Sequence, residues 1–142
     1  MIGILLITHN GLGDSLMDCV RHVMGTTPPN LKALAVQADD DPQLKEIDAR
    51  VLIAQLDTGD GVLLLSDLFG ATPCNIMRRL CVSDRTEGIA GVNLPMLLRA
   101  VCYNAGSLAE VARKALDGGR DCIVAINSES ESCNAATRCA DN

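Results

Sequence analysis

A histidine at the end of a short apolar run is the residue in this chain best placed to do chemistry. Ile2, Ile4, Leu5, Leu6 and Ile7 form that run, and it stops at Thr8-His9-Asn10-Gly11. A run of this length closed by turn residues reads as a buried strand of a parallel sheet. In open α/β sheets, ligands sit beyond the carboxyl ends of the strands. His9 stands at such an end. A second buried run, Val62 to Leu65, ends at Asp67. Two runs of similar length bring His9 and Asp67 to the same sheet edge. A carboxylate on one ring nitrogen fixes the tautomer and leaves the other as a nucleophile. It would also stabilise an imidazolium or phospho-imidazole form. Phe69-Gly70-Ala71-Thr72-Pro73 follows, where small residues let backbone approach an anion. A helix starting at Thr72 would add N–H donors and a hydroxyl.

Other readings of these residues are weaker. His9 alone could satisfy a loop carbonyl, and Asp67 alone could cap a loop. Gly11-Leu12-Gly13 lacks the third glycine of a dinucleotide fingerprint, because Leu16 stands there. A phosphoacceptor aspartate at Asp67 would need an acidic cluster after the first strand to hold Mg²⁺, and Thr8-His9-Asn10 supplies none. Asp39, Asp40 and Asp41 could bind a cation, but helix capping explains them better. His22, beside Arg21, reads as a solvated helix side chain. The residues call for no metal and no cofactor.

The elements that must position this chemistry alternate between strand and helix. Leu12, Leu16, Cys19, Val20 and Val23 share one helical face, giving a helix over Gly11 to Met24. Leu31 to Gln37 reads as a strand. Asp41 followed by Pro42 is a strong helix start, and Leu44, Ile47, Val51 and Ala54 form the apolar stripe expected to be buried. Thr72-Pro73 reads as another N-cap and first-position proline, with Ile76, Met77 and Leu80 facing inward. Glu87 to Gly91 gives a short strand. Asn93 caps a helix carrying Leu94, Leu97, Leu98 and Val101. Ser107 with Glu110 makes a capping box for a helix expected to stop at Gly118, before a last strand over Cys122 to Ile126. The fold class is therefore α/β, with a mainly parallel sheet and helices on both faces. Residues 1–127 form one domain, and residues 128–142 read as a disordered polar tail.

Composition narrows the function. At 142 residues and 48% hydrophobic content the chain can bury a real core. It has one Phe, one Tyr and no Trp, so base stacking on aromatics is nearly excluded. A net charge of -6 with no dense basic stretch argues against nucleic acid and anionic membrane, while allowing a basic protein partner. No apolar run approaches a membrane span and no signal peptide is evident, so the expected location is cytoplasmic. The seven cysteines show no C-x-x-C spacing and read as reduced thiols, mostly in the core.

Three stretches, in order and suitably spaced, resemble the mannose-type enzyme IIA domains of the bacterial phosphoenolpyruvate-dependent phosphotransferase system. They are Ile-Leu-Leu-Ile-Thr-His-Asn-Gly around His9, Leu-Leu-Leu-Ser-Asp-Leu-Phe-Gly-Ala-Thr-Pro-Cys-Asn from Leu63 to Asn75, and Gly-Val-Asn-Leu-Pro-Met-Leu from Gly91 to Leu97. The resemblance covers roughly residues 1–127 and implies a phosphoryl carrier. The donor would be the small protein HPr, the acceptor residue His9, and the recipient a IIB protein or domain. Asp67 matches the family aspartate that bonds the histidine. Gly70, Ala71 and Thr72 match the loop around the phosphoryl group, and Gly11 lies where backbone N–H groups would cradle it. The resemblance also implies a homodimer with a final strand exchanged or packed across the interface, for which Cys122 to Ile126 is the candidate. Some members carry aromatics beside the site where this chain has Leu12 and Phe69, and some continue into a IIB domain where only a short polar tail follows here. Two further roles fit the same His9 chemistry. One is a regulatory protein whose phosphorylation state controls partner binding. The other is a carrier for a phosphotransferase-dependent dihydroxyacetone kinase.

Overall fold

A computed structural model describes residues 1–81 and 84–127. Its elements run β1 (Gly3–His9), α1 (Leu12–Met24), β2 (Leu31–Val36), α2 (Pro42–Leu56), β3 (Val62–Ser66), α3 (Thr72–Leu80), β4 (Thr86–Ala90), α4 (Leu94–Cys102) and α5 (Leu108–Asp121). The four strands lie in the order β2-β1-β3-β4, and every pairing is parallel. β1 is central, which is why Ile4 to Ile7 are fully buried without alternation. Odd and even positions feed two cores. Ile4, Leu6, Leu63 and Leu65 pack with residues of α1, α4 and α5 on one face. Leu5, Ile7, Val62 and Leu64 pack with residues of α2 and α3 on the other.

Most helix starts follow local chemistry. The Asp41 carboxylate accepts the Gln43 amide at 2.9 Å with Pro42 at the first position. The Asn93 side chain accepts the Met96 amide at 3.0 Å, and the Ser107 hydroxyl accepts the Glu110 amide at 3.2 Å. At α3 the start lies one residue early. Ala71 is the extended residue before the helix and Thr72 is already inside it, with no side-chain cap.

Further expectations are corrected. Leu44, Ile47 and Val51 are exposed, while Ala49 and Leu56, with the partly covered Leu52 and Ile53, face the core. α2 carries two apolar faces, and the sheet takes the one with alanine at its centre. Next, α5 runs through Gly118 to Asp121. A Cβ at Gly118 would lie 3.0 Å from the Arg99 Cβ, and one at Gly119 would lie 2.7 Å from the Met96 Cε. These glycines serve close approach of α4 to α5, not helix termination. Finally, Cys122 to Ile126 is not a strand. Ile123 and Ile126 are strongly exposed, and the described sheet ends at β4. Cys19, Cys74 and Cys81 are free thiols, but Cys102 is disulfide-bonded, and only Cys74 of those three thiols is fully buried. The expected tail, residues 128–142, lies outside the described residues.

Candidate functional site

Sheet register brings the site together. β1 and β3 pair as far as Ile7 with Ser66, so His9 and Asp67 both emerge just past the last rung. The Asp67 Oδ2 accepts the His9 backbone amide at 2.9 Å and lies 2.8 Å from the His9 Nδ1. Asp67 is held in place by the backbone of the residue it orients, which fixes ring and carboxylate as one unit. With Nδ1 engaged, Nε2 is the nitrogen left for chemistry. The imidazole is 45% exposed and the carboxylate 10%, so the ring is reachable from solvent and its partner is not. Burial pushes the Asp67 carboxyl up. The His9 amide, the His9 ring hydrogen bond and the imidazolium charge outweigh it, and the net shift is below the usual carboxylate value. The second oxygen, Oδ1, is buried with no hydrogen-bond partner.

Asn10 makes the sharp turn from β1 into α1 with φ of 48°, a left-handed conformation that asparagine tolerates. Gly11 is the residue before α1. The first helical turn has amides without intrahelical acceptors, and one of them, Gly13, is taken by the buried Thr8 hydroxyl at 2.9 Å. Gly13 is glycine because a Cβ would press on Thr8 Oγ1 at 3.1 Å and Ala33 Cβ at 3.2 Å. The Gly-Leu-Gly pattern thus reflects close helix–sheet packing.

Beside the imidazole lies a depression of about 350 Å³ lined by His9, Asn10, Val36, Gln37, Asp40 and Thr72, among others. Thr72 is brought to His9 as expected. Gly11, Gly70 and Ala71 sit at the same sheet edge but do not line this depression. Gly70 has φ of 86° with open space around it, so it turns the chain where a side chain would be strained. Gln37 was not singled out from sequence, and Asp40 was weighed only as a cation ligand or helix cap. The signal was available: they follow β2, and a strand beside β1 must deliver its following loop to the same edge. No Lys or Arg lines the depression. Leu12, Leu68 and Phe69, which follow β1 and β3, are exposed, and the Arg78 guanidinium lies over the Phe69 ring at 4.8 Å. Among the described residues, no group of three or more His, Cys, Asp or Glu side chains could hold a metal ion. No helix among them is long and apolar enough to cross a membrane.

A half-exposed histidine locked by a largely covered aspartate at the carboxyl edge of a parallel sheet is the arrangement that comparison with known proteins bears on. Residues 3–116 match the mannose-type EIIA family model, described as the PTS system fructose IIA component. The chain belongs to this family. This IIA domain is 28% identical over 131 residues to the PTS system mannose-specific EIIAB component of Escherichia coli, and equally to that of Shigella flexneri. The match takes in 90% of the chain but only 40% of those relatives, so the chain spans well under half of their length. Solved structures share the fold. The EIIA component from Streptococcus agalactiae superposes with a TM-score of 0.82 at 19% identity, covering 91% of this chain and 100% of that one. The mannose/sorbose-specific IIA subunit from Enterococcus faecalis gives 0.78 at 19%, covering 91% and 97%. The IIA assignment agrees with the resemblance carried by the three sequence stretches and places the domain in the phosphotransferase system.

Proposed function

We propose that this IIA domain is a cytoplasmic histidine phosphocarrier, with residues 1–127 as its working unit. HPr donates the phosphoryl group to His9, and a IIB component receives it during sugar uptake. The observation that carries this reading is the His9–Asp67 pair. With Nδ1–H held by the carboxylate, Nε2 attacks phosphorus in line, the P–N bond to the donor imidazole breaks, and a P–N bond to His9 forms. Asp67 keeps the proton on Nδ1 and offsets the positive charge of the phosphorylated ring. Gly11, Gly70, Ala71 and Thr72 surround the group, with backbone N–H donors from the starts of α1 and α3 meeting its oxygens. Incubation with phosphoenolpyruvate, enzyme I and HPr should add one acid-labile phosphate to His9, read by intact mass and site mapping. Absence of transfer from a competent HPr rules the reading out.

The same reading takes the domain as a homodimer. Among the described residues β4 is an edge strand, and Ile123, Val124 and Ile126 are exposed near the end of the described chain. Pairing this run with the β4 edge of a second copy satisfies both. Sedimentation should give the mass of two chains, and Ile123→Asp should reduce it to one.

A further inference from the structure

Helix α2 carries more apolar surface than its own chain covers. Leu44, Ile47 and Val51 are 61%, 57% and 53% exposed, and Ala54 is exposed beside them. Spacings of three and four residues place all of them in one stripe on the face away from the sheet. Single exposed apolar side chains are ordinary, whereas a contiguous row marks an interaction surface.

We infer that this stripe is the docking strip for the protein that exchanges a phosphoryl group with His9, and that this partner presents an apolar ridge bordered by basic side chains. The inference rests on the carrier reading above. Position supports it first. Asp40 and Pro42 line the depression beside His9, Pro42 opens α2, and Leu44 is two residues further on. Leu44 to Val51 spans about 10 Å along the helix axis. A standard interface covers about 800 Å² on each partner, a patch roughly 30 Å across. A protein seated on His9 therefore reaches the stripe.

Charge supports it second. Asp39, Asp40 and Asp41 stand at the head of the stripe and Asp48 flanks it. The nearby cations are engaged within the chain: Lys45 with Asp40 at 3.6 Å, and Arg50 and Arg79 with Glu46 at 3.4 and 3.8 Å. The border left to a partner is acidic, on a chain of net charge -6. A second copy fits poorly. Antiparallel pairing of the stripe about a two-fold axis sets Asp48 beside its own copy, and parallel pairing does the same to Asp39, Asp40 and Asp41. Like charges juxtaposed across an interface work against it. A basic partner meets neither penalty.

The test compares two phosphoryl donors on the full chain. Phospho-HPr must dock; phosphoramidate is small and needs only His9. The triple variant Leu44→Gln, Ile47→Gln, Val51→Gln alters side chains already more than half in water, so its thermal melt should match the parent. Transfer from phospho-HPr should fall about tenfold or more in kcat/KM, through KM, while labelling by phosphoramidate stays unchanged. Asp48→Lys should weaken the phospho-HPr reaction alone. Unchanged phospho-HPr kinetics in the triple variant would overturn the inference, as would a lost self-association with transfer intact, which would assign the stripe to a second copy. A parent whose His9 is labelled by phosphoramidate but never by phospho-HPr would overturn the carrier reading itself, so the two failures are distinct.

Discussion

The two ends of the sheet each hold an aspartate with a lowered pKa, and they use it differently. At the amino end, Asp57 takes the amides of Gly59 and Gly61 on Oδ1 at 2.9 and 3.1 Å. The Arg85 Nη2 reaches both oxygens at 2.6 Å and Nε adds a bond at 3.1 Å. The Arg85 hydrogen bonds are the largest cause of the lowered pKa. At the carboxyl end, Asp67 has one backbone amide, one imidazole and one buried oxygen with nothing on it. The Asp57 cluster is closed, built from a permanent cation and local backbone. The Asp67 pair depends on a ring that can change its charge and its substituents. A satisfied network ties loops together; an incompletely satisfied one beside an exposed imidazole leaves room for a change of state.

The sharpest way to break this contrast is at the rings and carboxylates themselves. His9→Ala should abolish phosphoryl acceptance from phospho-HPr with the melt unchanged, whereas Asp57→Ala should leave transfer intact and cost about 1–2 kcal/mol of stability. Transfer that survives the first change, or is lost in the second, ends the division of labour. Asp67→Asn should slow transfer by about one to two orders of magnitude without abolishing it, because the ring loses its orienting charge but keeps its position. Single-turnover kinetics would read this directly.

The glycines of the two ends sharpen the contrast on stability. Gly61 has φ of 93°, and a Cβ there would lie 2.9 Å from the Arg85 carbonyl oxygen. Gly61→Ala should cost about 2 kcal/mol or more. Gly70, with φ of 86° and nothing within 4 Å, should cost about 1 kcal/mol on the same change. Equal costs in urea titrations would mean that the carboxyl edge is packed as tightly as the amino edge. The smallest effect is on acid stability. A carboxyl held below its ordinary value adds stability above that value and loses it as pH falls through the folded one. Both aspartates therefore steepen the fall in stability below about pH 4. Asp67→Asn and Asp57→Asn should each flatten that limb, measured by circular dichroism.

Much of this was legible before any coordinates. His9 and Asp67 each follow a fully apolar run, and that alone implies the same edge of a parallel sheet. Asp41-Pro42, Asn93 and Ser107 announce their helices because capping is a contact between residues two or three apart. Thr72-Pro73 misleads by one residue, since either Ala71 or Thr72 could precede the helix and only the Gly70 turn settles which. Gly118 misleads for the opposite reason. Its missing side chain answers to Arg99 on another helix, not to a turn.

Local sequence thus determined what each segment is: where strands end, where most helices begin, and which histidine and carboxylate stand at the strand ends. Those features depend on neighbours within a few positions, so they can be read along the chain. Only tertiary structure decided which of two apolar faces of α2 meets the sheet, that Gln37 and Asp40 border the histidine, and that Cys122 to Ile126 is not a strand. Each of these depends on which surfaces are already covered when a segment arrives. Periodicity counts apolar residues without knowing what they will touch. The stripe of Leu44, Ile47 and Val51 is the clearest case: its pattern specifies burial, and the packed domain leaves it in water.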